Sequence, residues 1–336
     1  MSAPTKAVPR LARVNVPAAG FDLPVVAYGT GTALYQRDVS KEVSIAAEAG
    51  HRFFDLAEMY KNTQYAGNGL RPHLASADSG IKRSDLIILT KIGEGQPHAY
   101  KALQEEVKAL NLLIKDESTT PNPVFDVVLS HYPPRADKAK GRPSNLQVWR
   151  ELERAVDDGL TRSIGVSNWL AEDIETLYAD ADAEGGGIKH PIAFNQIEFH
   201  PLIASSPQYK ALLPLCKEKG IKIMTYSPLV PLTRNLLPEM PKLKEAIDNA
   251  VAAKSGRTQT SVLLKYAHQM TNDGIIVTTS SKPERTAEYL SMFASEKTGK
   301  EGTPGAEDLL SQAELDAITE AAGQYRSVKA WMEEWW

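Results

Sequence analysis

Short runs of apolar and β-branched residues alternate along this chain with longer stretches in which apolar residues recur every three or four positions. The first pattern predicts buried strands, and the second predicts amphipathic helices. The predicted strands lie near residues 25–28, 52–55, 86–91, 124–131, 161–166, 192–197, 221–226 and 275–278. The helical patterns include Val39–Ala49, Tyr100–Leu113, Leu146–Asp158, Ala171–Ala183, Pro207–Lys219 and Gln259–Met270.

Eight strands that alternate with helices predict a parallel sheet. Closing eight such units gives a (β/α)8 TIM barrel, an α/β fold of about 250 residues plus additions. The alternative is an open doubly wound sheet, which usually carries Gly-x-Gly-x-x-Gly after its first strand. Here the first strand leads into Gly29-Thr30-Gly31-Thr32, which lacks the third glycine at that spacing. We therefore expect residues 1–336 to form a single (β/α)8 barrel catalytic domain.

Both ends of the chain are expected to add to the barrel. Residues 13–16 and 23–26 predict an N-terminal β-hairpin. Gln312–Ala322 predicts an extra C-terminal helix, and a tail rich in tryptophan follows it. Two long segments, Pro133–Ser144 and Glu296–Asp308, are expected to be mobile surface loops.

The composition excludes several classes of function. The 38 Lys and Arg residues against 42 Asp and Glu give a net charge of -4, so no cationic field favours nucleic acid or a membrane surface. No apolar stretch approaches the roughly 20 residues that span a bilayer, and none has the character of a signal peptide. Cys216 is the single cysteine, which excludes a disulfide framework and a Cys-based zinc site. We expect a cytoplasmic protein without a metal.

Four polar residues stand where predicted strands end. Asp55, Lys91 and His131 close the second, third and fourth strands, and Tyr60 follows Asp55 by five positions. The carboxyl ends of the strands form the active-site face of such a barrel, so these side chains are expected to meet there. Burying an unpaired charge costs several kcal/mol, so ionisable groups at buried strand ends indicate function.

Together these four residues can make a proton donor. A phenol has an unperturbed pKa of about 10 and is a weak acid at neutral pH. We expect the Lys91 ammonium to lower the pKa of Tyr60, and Asp55 to hold Lys91 by an ion pair. Tyr60 would then act as general acid toward a carbonyl oxygen, and His131 would donate a hydrogen bond to that oxygen. The pattern predicts a carbonyl-reducing site that needs a source of hydride.

Six segments resemble the signature segments of the aldo-keto reductases and follow one another in the same order. They are Asp55–Tyr60, Leu89–Lys91, Leu129–His131, Ile164–Asn168, Asn195–Pro201 and Tyr226–Leu229. The resemblance runs from about residue 20 to about residue 320. It implies a (β/α)8 barrel, NADPH as cofactor, a small-molecule carbonyl substrate, and a catalytic tetrad of Asp55, Tyr60, Lys91 and His131.

The same resemblance implies a set of cofactor contacts. Ser167, Asn168 and Gln196 would hold the carboxamide of the nicotinamide, and Tyr226 would stack on its ring and leave one face exposed. The remaining cofactor contacts that it implies are Gly31, Thr32, Ser227, Leu229 and Glu288.

The adenine end departs from the family pattern, which has a Lys-Ser pair after strand eight and an Arg five residues beyond that Ser. Ser280 and Arg285 match, but Thr279 stands in place of the Lys. Arg285 and Lys282, with the hydroxyls of Thr279, Ser280 and Ser281, can still bind a 2′-phosphate. We expect a preference for NADPH and leave tolerance of NADH open. In the alternative interpretation, Lys282 and Arg285 only begin a solvated helix.

The substrate prediction rests on a subgroup. Val277–Pro283, Gly29–Thr32 and Tyr226–Leu229 are especially similar to fungal enzymes that reduce conjugated polyketones, ketopantoyl lactone and α-keto amides. That likeness implies activated α-dicarbonyl substrates. Candidates for the pocket wall are Leu34, Tyr35, Tyr132 and Trp169. The C-terminal indoles of Trp331, Trp335 and Trp336 would either add an apolar wall or fasten the tail to the outside of the barrel.

Two other functions stay open at this point. One is a sugar or glycerol dehydrogenase of the same family, and the other is a non-catalytic NADPH-binding regulatory subunit. The intact tetrad, with no appended interaction domain, argues against the regulatory subunit. The chain is expected to be a monomer or a weak dimer.

Overall fold

Eight parallel strands close into a barrel at the centre of the molecule. The structure is a computed structural model that describes residues 12–93, 98–112, 124–134, 143–294 and 308–331. The barrel strands are β3 (Val26–Gly29), β4 (Phe53–Asp55), β5 (Ile87–Ile92), β6 (Phe125–Ser130), β7 (Thr161–Ser167), β8 (Phe194–Glu198), β9 (Lys222–Tyr226) and β10 (Ile275–Thr278). Each strand pairs in parallel with the next, and β10 pairs with β3 to close the barrel.

The predicted (β/α)8 barrel is confirmed, and the open doubly wound alternative is wrong. Each observed strand begins and ends within two residues of its predicted position. Every residue of β5 and β6 is buried, because a parallel barrel is packed by side chains on its inside and by helices on its outside.

Twelve α-helices lie within the described residues. They are α1 (Ser40–Ala49), α2 (Thr63–Ala75), α3 (Ala99–Leu110), α4 (Asn145–Asp157), α5 (Ala171–Glu184), α6 (Pro201–Ala204), α7 (Pro207–Glu218), α8 (Val230–Thr233), α9 (Pro241–Ala252), α10 (Gln259–Met270), α11 (Pro283–Ser291) and α12 (Gln312–Ala322). Helix α4 shows why a helix begins where it does: the Ser144 side chain accepts a hydrogen bond from the Gln147 amide at 3.1 Å.

The two terminal additions are present. Strand β1 (Arg13–Val14) pairs antiparallel with β2 (Leu23–Pro24), which confirms the N-terminal hairpin. The hairpin loop reaches the amino end of β7, where the Arg162 guanidinium lies 3.9 Å from the Phe21 ring. Helix α12 packs beside α9 and α6.

Some sequence predictions fall beyond the described ranges. Most of the two predicted surface loops, at residues 135–142 and 295–307, lies outside the described residues, as do Trp335 and Trp336. Among the residues that are described, no helix is both long and apolar enough to cross a membrane. The same ranges contain no group of three or more His, Cys, Asp or Glu side chains arranged to hold a metal ion.

Candidate active site

Four polar side chains meet at the carboxyl end of the barrel. Asp55 is the last residue of β4, Lys91 lies near the end of β5, and His131 directly follows β6. Tyr60 ends the short 3-10 helix Glu58–Tyr60, which follows β4. The exposures of Asp55, Lys91 and His131 are 2%, 1% and 4%, so three ionisable groups are almost completely withdrawn from water.

Lys91 connects the group through its ammonium. Its Nζ donates to a carboxylate oxygen of Asp55, to the Leu56 carbonyl at 3.0 Å and to the Tyr60 hydroxyl oxygen at 3.3 Å. An ammonium has three protons, so each of them has an acceptor. Because the Tyr60 oxygen accepts from Lys91, its own O–H proton is left to donate to another group.

The pKa of Tyr60 shifts in the direction opposite to the one predicted from the sequence. We expected Lys91 to lower it, but burial raises the pKa of the Tyr60 hydroxyl well above its usual 10.0. The negative charge of Asp55 raises it further, and Tyr35 adds to the effect. A cation that is already paired with a carboxylate brings no net positive charge, so the cost of burying a phenolate dominates.

Burial also shifts the pKa values of Asp55 and Lys91. Burial raises the pKa of Asp55 and lowers the pKa of Lys91, while the attraction between the two groups opposes both shifts. Gln196 Nε2 also donates to the second carboxylate oxygen of Asp55, at 3.2 Å. With these hydrogen bonds satisfied on both partners, we assign the pair its ionised form.

His131 is held as a neutral imidazole. Burial lowers its pKa well below 6.5, and the positive charge of Lys91 lowers it further. The ring stacks on Tyr132 with centroids 4.5 Å apart and meets the Tyr60 ring edge-on at 5.8 Å. A neutral imidazole carries one N–H group, and that group can donate to a ligand beside the Tyr60 hydroxyl.

Gly31 makes room for Tyr60. A Cβ atom at Gly31 would lie 2.8 Å from Tyr60 Cζ and 3.1 Å from its hydroxyl oxygen. The backbone φ of Gly31 is -81°, which any residue can adopt, so the limit is contact with Tyr60 and not backbone strain. On the other side of Tyr60, the Tyr35 ring packs edge-on with the two ring centroids 6.1 Å apart.

Gly31→Ala should lower the rate of carbonyl reduction about 10- to 100-fold, because the new methyl group displaces the Tyr60 hydroxyl from its place beside Lys91. Steady-state kinetics with a saturating reduced nicotinamide measures the loss. The matched comparison is the same substitution in a Tyr60→Phe background, where it should have no further effect on the rate. An equal loss in both backgrounds would mean that Gly31 acts on something other than Tyr60.

The residues expected to hold the nicotinamide amide lie beside the tetrad. Ser167 ends β7, and its hydroxyl donates to the Gln196 carbonyl at 2.9 Å. Asn168 adopts a left-handed φ of 62° and donates to the His131 carbonyl at 3.0 Å. Tyr226 ends β9, and its hydroxyl donates to Asn168 Oδ1 at 2.7 Å. The structure therefore brings these predicted residues together with the tetrad.

The side chains present fit a dinucleotide cofactor. Gln196 donates to Asp55 through its Nε2 at 3.2 Å, and its amide Oε1 is an acceptor that suits a carboxamide NH2 group. Thr279 Oγ1 is buried and has no hydrogen-bond partner among the described residues, which leaves a hydroxyl ready for a ligand at the end of β10. The Tyr226 ring is fixed by its hydroxyl contact and offers an aromatic surface near the tetrad.

The adenine-end residues surround the start of α11. Ser280 Oγ accepts from the Lys282 amide at 3.0 Å, and Lys282 precedes the first helical residue. Lys282 and Arg285 are exposed, and neither forms an ion pair within the described chain. Two free cations at a helix N-terminus suit a phosphate. Ser281 and Glu288 are exposed on the same segment.

The remaining predicted contacts have mixed surroundings. Thr32 is exposed with a φ of 50°, Leu229 is half-buried before α8, and Ser227 accepts from the Trp331 indole at 3.0 Å.

The residues predicted for the pocket wall differ in exposure. Leu34 is buried at 3%, Tyr35 is 39% exposed, and the hydroxyl of half-buried Tyr132 lies 3.9 Å from Met59 Sδ. Trp169 is completely buried at 0% and presents no surface to a ligand in this conformation.

No role is predicted from the sequence for Glu198, although the signature segment Asn195–Pro201 contains it. Glu198 is the last residue of β8, has 0% exposure, and contacts the C-terminal segment of the chain. The signal was available, because an acid that ends a buried strand is the same criterion that identified Asp55.

Three comparisons place this geometry among known proteins. The family model described as "Aldo/keto reductase family" matches residues 26–301. The NAD/NADP-dependent indole-3-acetaldehyde reductase of Schizosaccharomyces pombe is 31% identical over 286 residues, which cover 82% of this chain and 88% of that protein. The glyoxal reductase of Bacillus subtilis is 26% identical over 299 residues, covering 89% of each. The crystal structure of a Bombyx mori aldo-keto reductase in complex with NADP has a TM-score of 0.72 and 26% identity, and covers 97% of each chain.

Proposed function

The chain belongs to the aldo/keto reductase family, and we propose that it reduces aldehydes and ketones to alcohols with NADPH, with Tyr60 as the proton donor. Members of this family are NAD(P)-dependent oxidoreductases that act on carbonyl groups, and the chain is an enzyme of that class. The observation that carries the specific proposal is the contact of Lys91 with both Asp55 and the Tyr60 hydroxyl, which leaves the Tyr60 proton free.

The reaction adds one hydride and one proton to the carbonyl. When bound, the reduced nicotinamide supplies the hydride to the carbonyl carbon. As the C=O π bond breaks, the oxygen takes up negative charge and accepts the Tyr60 proton, so that an alcohol forms. The neutral His131 N–H donates a hydrogen bond to the same oxygen. Tyr60 then regains a proton from solvent, and the charges balance.

A phenol with a raised pKa can still serve as this acid. The oxygen that develops in the reaction becomes an alkoxide, which is a far stronger base than a phenolate, so proton transfer is favourable. Lys91 stabilises the phenolate oxygen after transfer because its N–H already points at that atom, 3.3 Å away. The raised pKa keeps Tyr60 protonated in the resting enzyme.

The pH dependence should therefore be flat across neutral pH. His131 stays neutral because its pKa lies well below 6.5, and Tyr60 stays protonated because its pKa lies well above 10.0. We expect kcat/KM to be constant between about pH 6.5 and about pH 9. Steady-state rates at fixed ionic strength test this, with intrinsic fluorescence as a check on folding. An alkaline fall centred inside that range would restore the lowered Tyr60 pKa expected from the sequence.

The proposed cofactor contacts form two groups, one at the nicotinamide and one at the adenosine 2′-phosphate. Gln196, Ser167 and Asn168 would hold the carboxamide, Tyr226 would pack on the nicotinamide ring, and Ser227 would contact the phosphates. At the other end, Thr279, Ser280, Lys282 and Arg285 would hold the adenosine 2′-phosphate. The relative from Schizosaccharomyces pombe is named as NAD/NADP-dependent, which supports tolerance of NADH as part of the proposal.

Activated α-dicarbonyl compounds are the proposed substrates. The likeness to fungal reductases of conjugated polyketones, ketopantoyl lactone and α-keto amides supports this class. A relative that covers 89% of this chain is named as a glyoxal reductase, and glyoxal is itself an α-dicarbonyl. Tyr35 and Tyr132 flank Tyr60 and His131 with aromatic surface, which suits a planar conjugated substrate.

The test is a substrate panel with purified protein. We expect NADPH to be oxidised with isatin and with an α-diketone, more slowly with xylose, and more slowly with NADH in place of NADPH. Fast turnover of NADP+ with glycerol, or a preference for xylose, would favour the sugar or glycerol dehydrogenase. Tight NADPH binding with no turnover of any carbonyl would favour a regulatory subunit. A cytoplasmic location and a monomer or weak dimer complete the proposal.

A further inference from the structure

Glu198 is a buried carboxylate that the proposed reaction does not use. Its Oε1 accepts from the Ala330 amide at 2.7 Å and lies 3.1 Å from His200 Nε2, and its Oε2 accepts from the Trp331 amide at 3.1 Å. Two successive backbone N–H groups of the C-terminus are thus bound by one side chain at the end of β8. Glu198 fastens the end of the described chain to the carboxyl face of the barrel.

The same C-terminal segment reaches a residue of the proposed cofactor site. We name residues 325–331 the C-terminal strap. The Trp331 indole Nε1 donates to Ser227 Oγ at 3.0 Å, directly after β9. Arg234 donates to the Ala330 carbonyl at 2.9 Å, and the Tyr325 hydroxyl accepts from the Lys242 amide at 3.1 Å. The strap is therefore fixed at both ends by hydrogen bonds, and its last described side chain contacts Ser227.

We propose that Trp331, held in place by Glu198, is a positioning residue for the dinucleotide: its indole N–H fixes the Ser227 hydroxyl as a donor toward the cofactor. An indole nitrogen can only donate. The Ser227 oxygen must therefore act as the acceptor in this contact, which leaves its O–H proton to point elsewhere. Ser227 is also held at a left-handed φ of 57°, so its backbone is already constrained. This inference rests on the proposed function, since Ser227 is one of its cofactor contacts.

The exposure of Trp331 makes the proposal testable without unfolding the protein. Its side chain is 44% exposed, so its indole contributes little to the core. Trp331→Phe keeps an aromatic ring beside Arg234 and removes the N–H donor together with part of the indole surface. If the indole orients Ser227, the variant should bind NADPH about fivefold more weakly, which is the effect of one net hydrogen bond. The change should appear in the dissociation constant measured by NADPH fluorescence, without any substrate present.

A double-mutant cycle separates positioning from general weakening. In a Ser227→Ala background, Trp331→Phe should no longer change the dissociation constant, because the hydroxyl that it orients is gone. An equal effect in both backgrounds, or no effect in either, would overturn the proposal.

The role of Glu198 has a readout of its own. Glu198→Gln replaces one of two carboxylate oxygens by an NH2 group, so one of the two strap amides loses its acceptor. Hydrogen exchange at Ala330 and Trp331 should accelerate, and NADPH binding should weaken as in Trp331→Phe. The matched variant is Glu320→Gln on the exposed face of α12, which should change neither. Unchanged exchange in Glu198→Gln would remove the anchor from the proposal.

NADPH binding and carbonyl reduction by the wild-type protein distinguish failure of the proposed reaction from failure of the strap inference. If the wild-type protein binds NADPH and reduces carbonyls but Trp331→Phe binds equally well, only the strap inference fails. If the wild-type protein binds NADPH and the variants behave as expected, but no carbonyl is reduced, the reaction proposal fails and the strap inference stands. If the wild-type protein binds neither reduced nicotinamide, both are wrong.

Discussion

Tyr60→Phe should lower kcat/KM for carbonyl reduction by about 10²- to 10⁴-fold, the contribution typical of a positioned general acid. The variant keeps the aromatic ring that packs between Tyr35 and His131, so the loss comes from the proton and not from a cavity. NADPH should bind with an unchanged dissociation constant. Initial rates with an α-diketone, together with fluorescence titration of NADPH, measure both quantities on one preparation.

The matched control for this variant is Tyr100→Phe. Its hydroxyl donates to Asp158 at 2.7 Å and not to any member of the tetrad, so removing it should leave the rate of reduction near the wild-type value. Tyr60→Phe with a rate within a factor of three of wild type would take the proton-donor role away from Tyr60. His131 would then be the remaining donor at the site.

The position of the tetrad could be predicted because it depends only on where strands end. Asp55, Lys91 and His131 each close an apolar run, and parallel strands bring their carboxyl ends to one face of a barrel. No knowledge of side-chain packing is needed for that step. The (β/α)8 fold followed in the same way from the alternation of strand and helix patterns.

The electrostatics of Tyr60 could not be predicted from residue types. A lysine beside a phenol lowers the pKa of that phenol only when the lysine charge is not cancelled by another group. Here Asp55 neutralises Lys91, and burial penalises the phenolate, so the pKa of Tyr60 moves upward. The sequence contains the charges but not their distances or their exposure to water, and these decide the sign.

Helix α2 is not among the helical patterns named from the sequence, and its composition gives a physical reason. It contains Gly67 and Gly69, which weaken a helical pattern. A Cβ at Gly67 would lie 2.0 Å from the Leu110 carbonyl oxygen, and one at Gly69 would lie 2.5 Å from the Ser40 carbonyl oxygen. These glycines let α2 pack closely against the ends of α3 and α1. Close packing between helices therefore explains why Gly67 and Gly69 occur in α2 although glycine has a low helix propensity.

The residues that line the pocket wall also could not be predicted from local sequence patterns. Trp169 directly follows Asn168 and was a reasonable candidate by position, yet its side chain is completely buried. Trp331, one of the C-terminal indoles for which the sequence left two roles open, contacts Ser227 through its indole. Which aromatic residue reaches a site at the end of a barrel depends on how the strap crosses that face, and a single sequence does not encode that path in any local pattern.

Lys91→Met should both destabilise the fold and inactivate the site. The substitution leaves the Asp55 carboxylate buried at 2% exposure with Gln196 as its remaining side-chain donor. Breaking a buried ion pair in this way costs about 3–5 kcal/mol in the free energy of unfolding. The rate of reduction should fall about 10²- to 10³-fold, because the phenolate that forms on Tyr60 loses its cation. Urea unfolding and initial rates measure the two effects.

The double variant Asp55→Asn with Lys91→Met separates charge from packing. A neutral amide at position 55 can still accept from Gln196, so no unpaired charge remains and most of the stability should return. Activity should not return, because the donor to the Tyr60 oxygen is still missing. If both stability and activity recovered, Lys91 would matter only as the partner of Asp55. If neither variant were less stable than the wild type, the pair would not be ionised in the folded protein, and Tyr60 would have no charged neighbour to stabilise its phenolate.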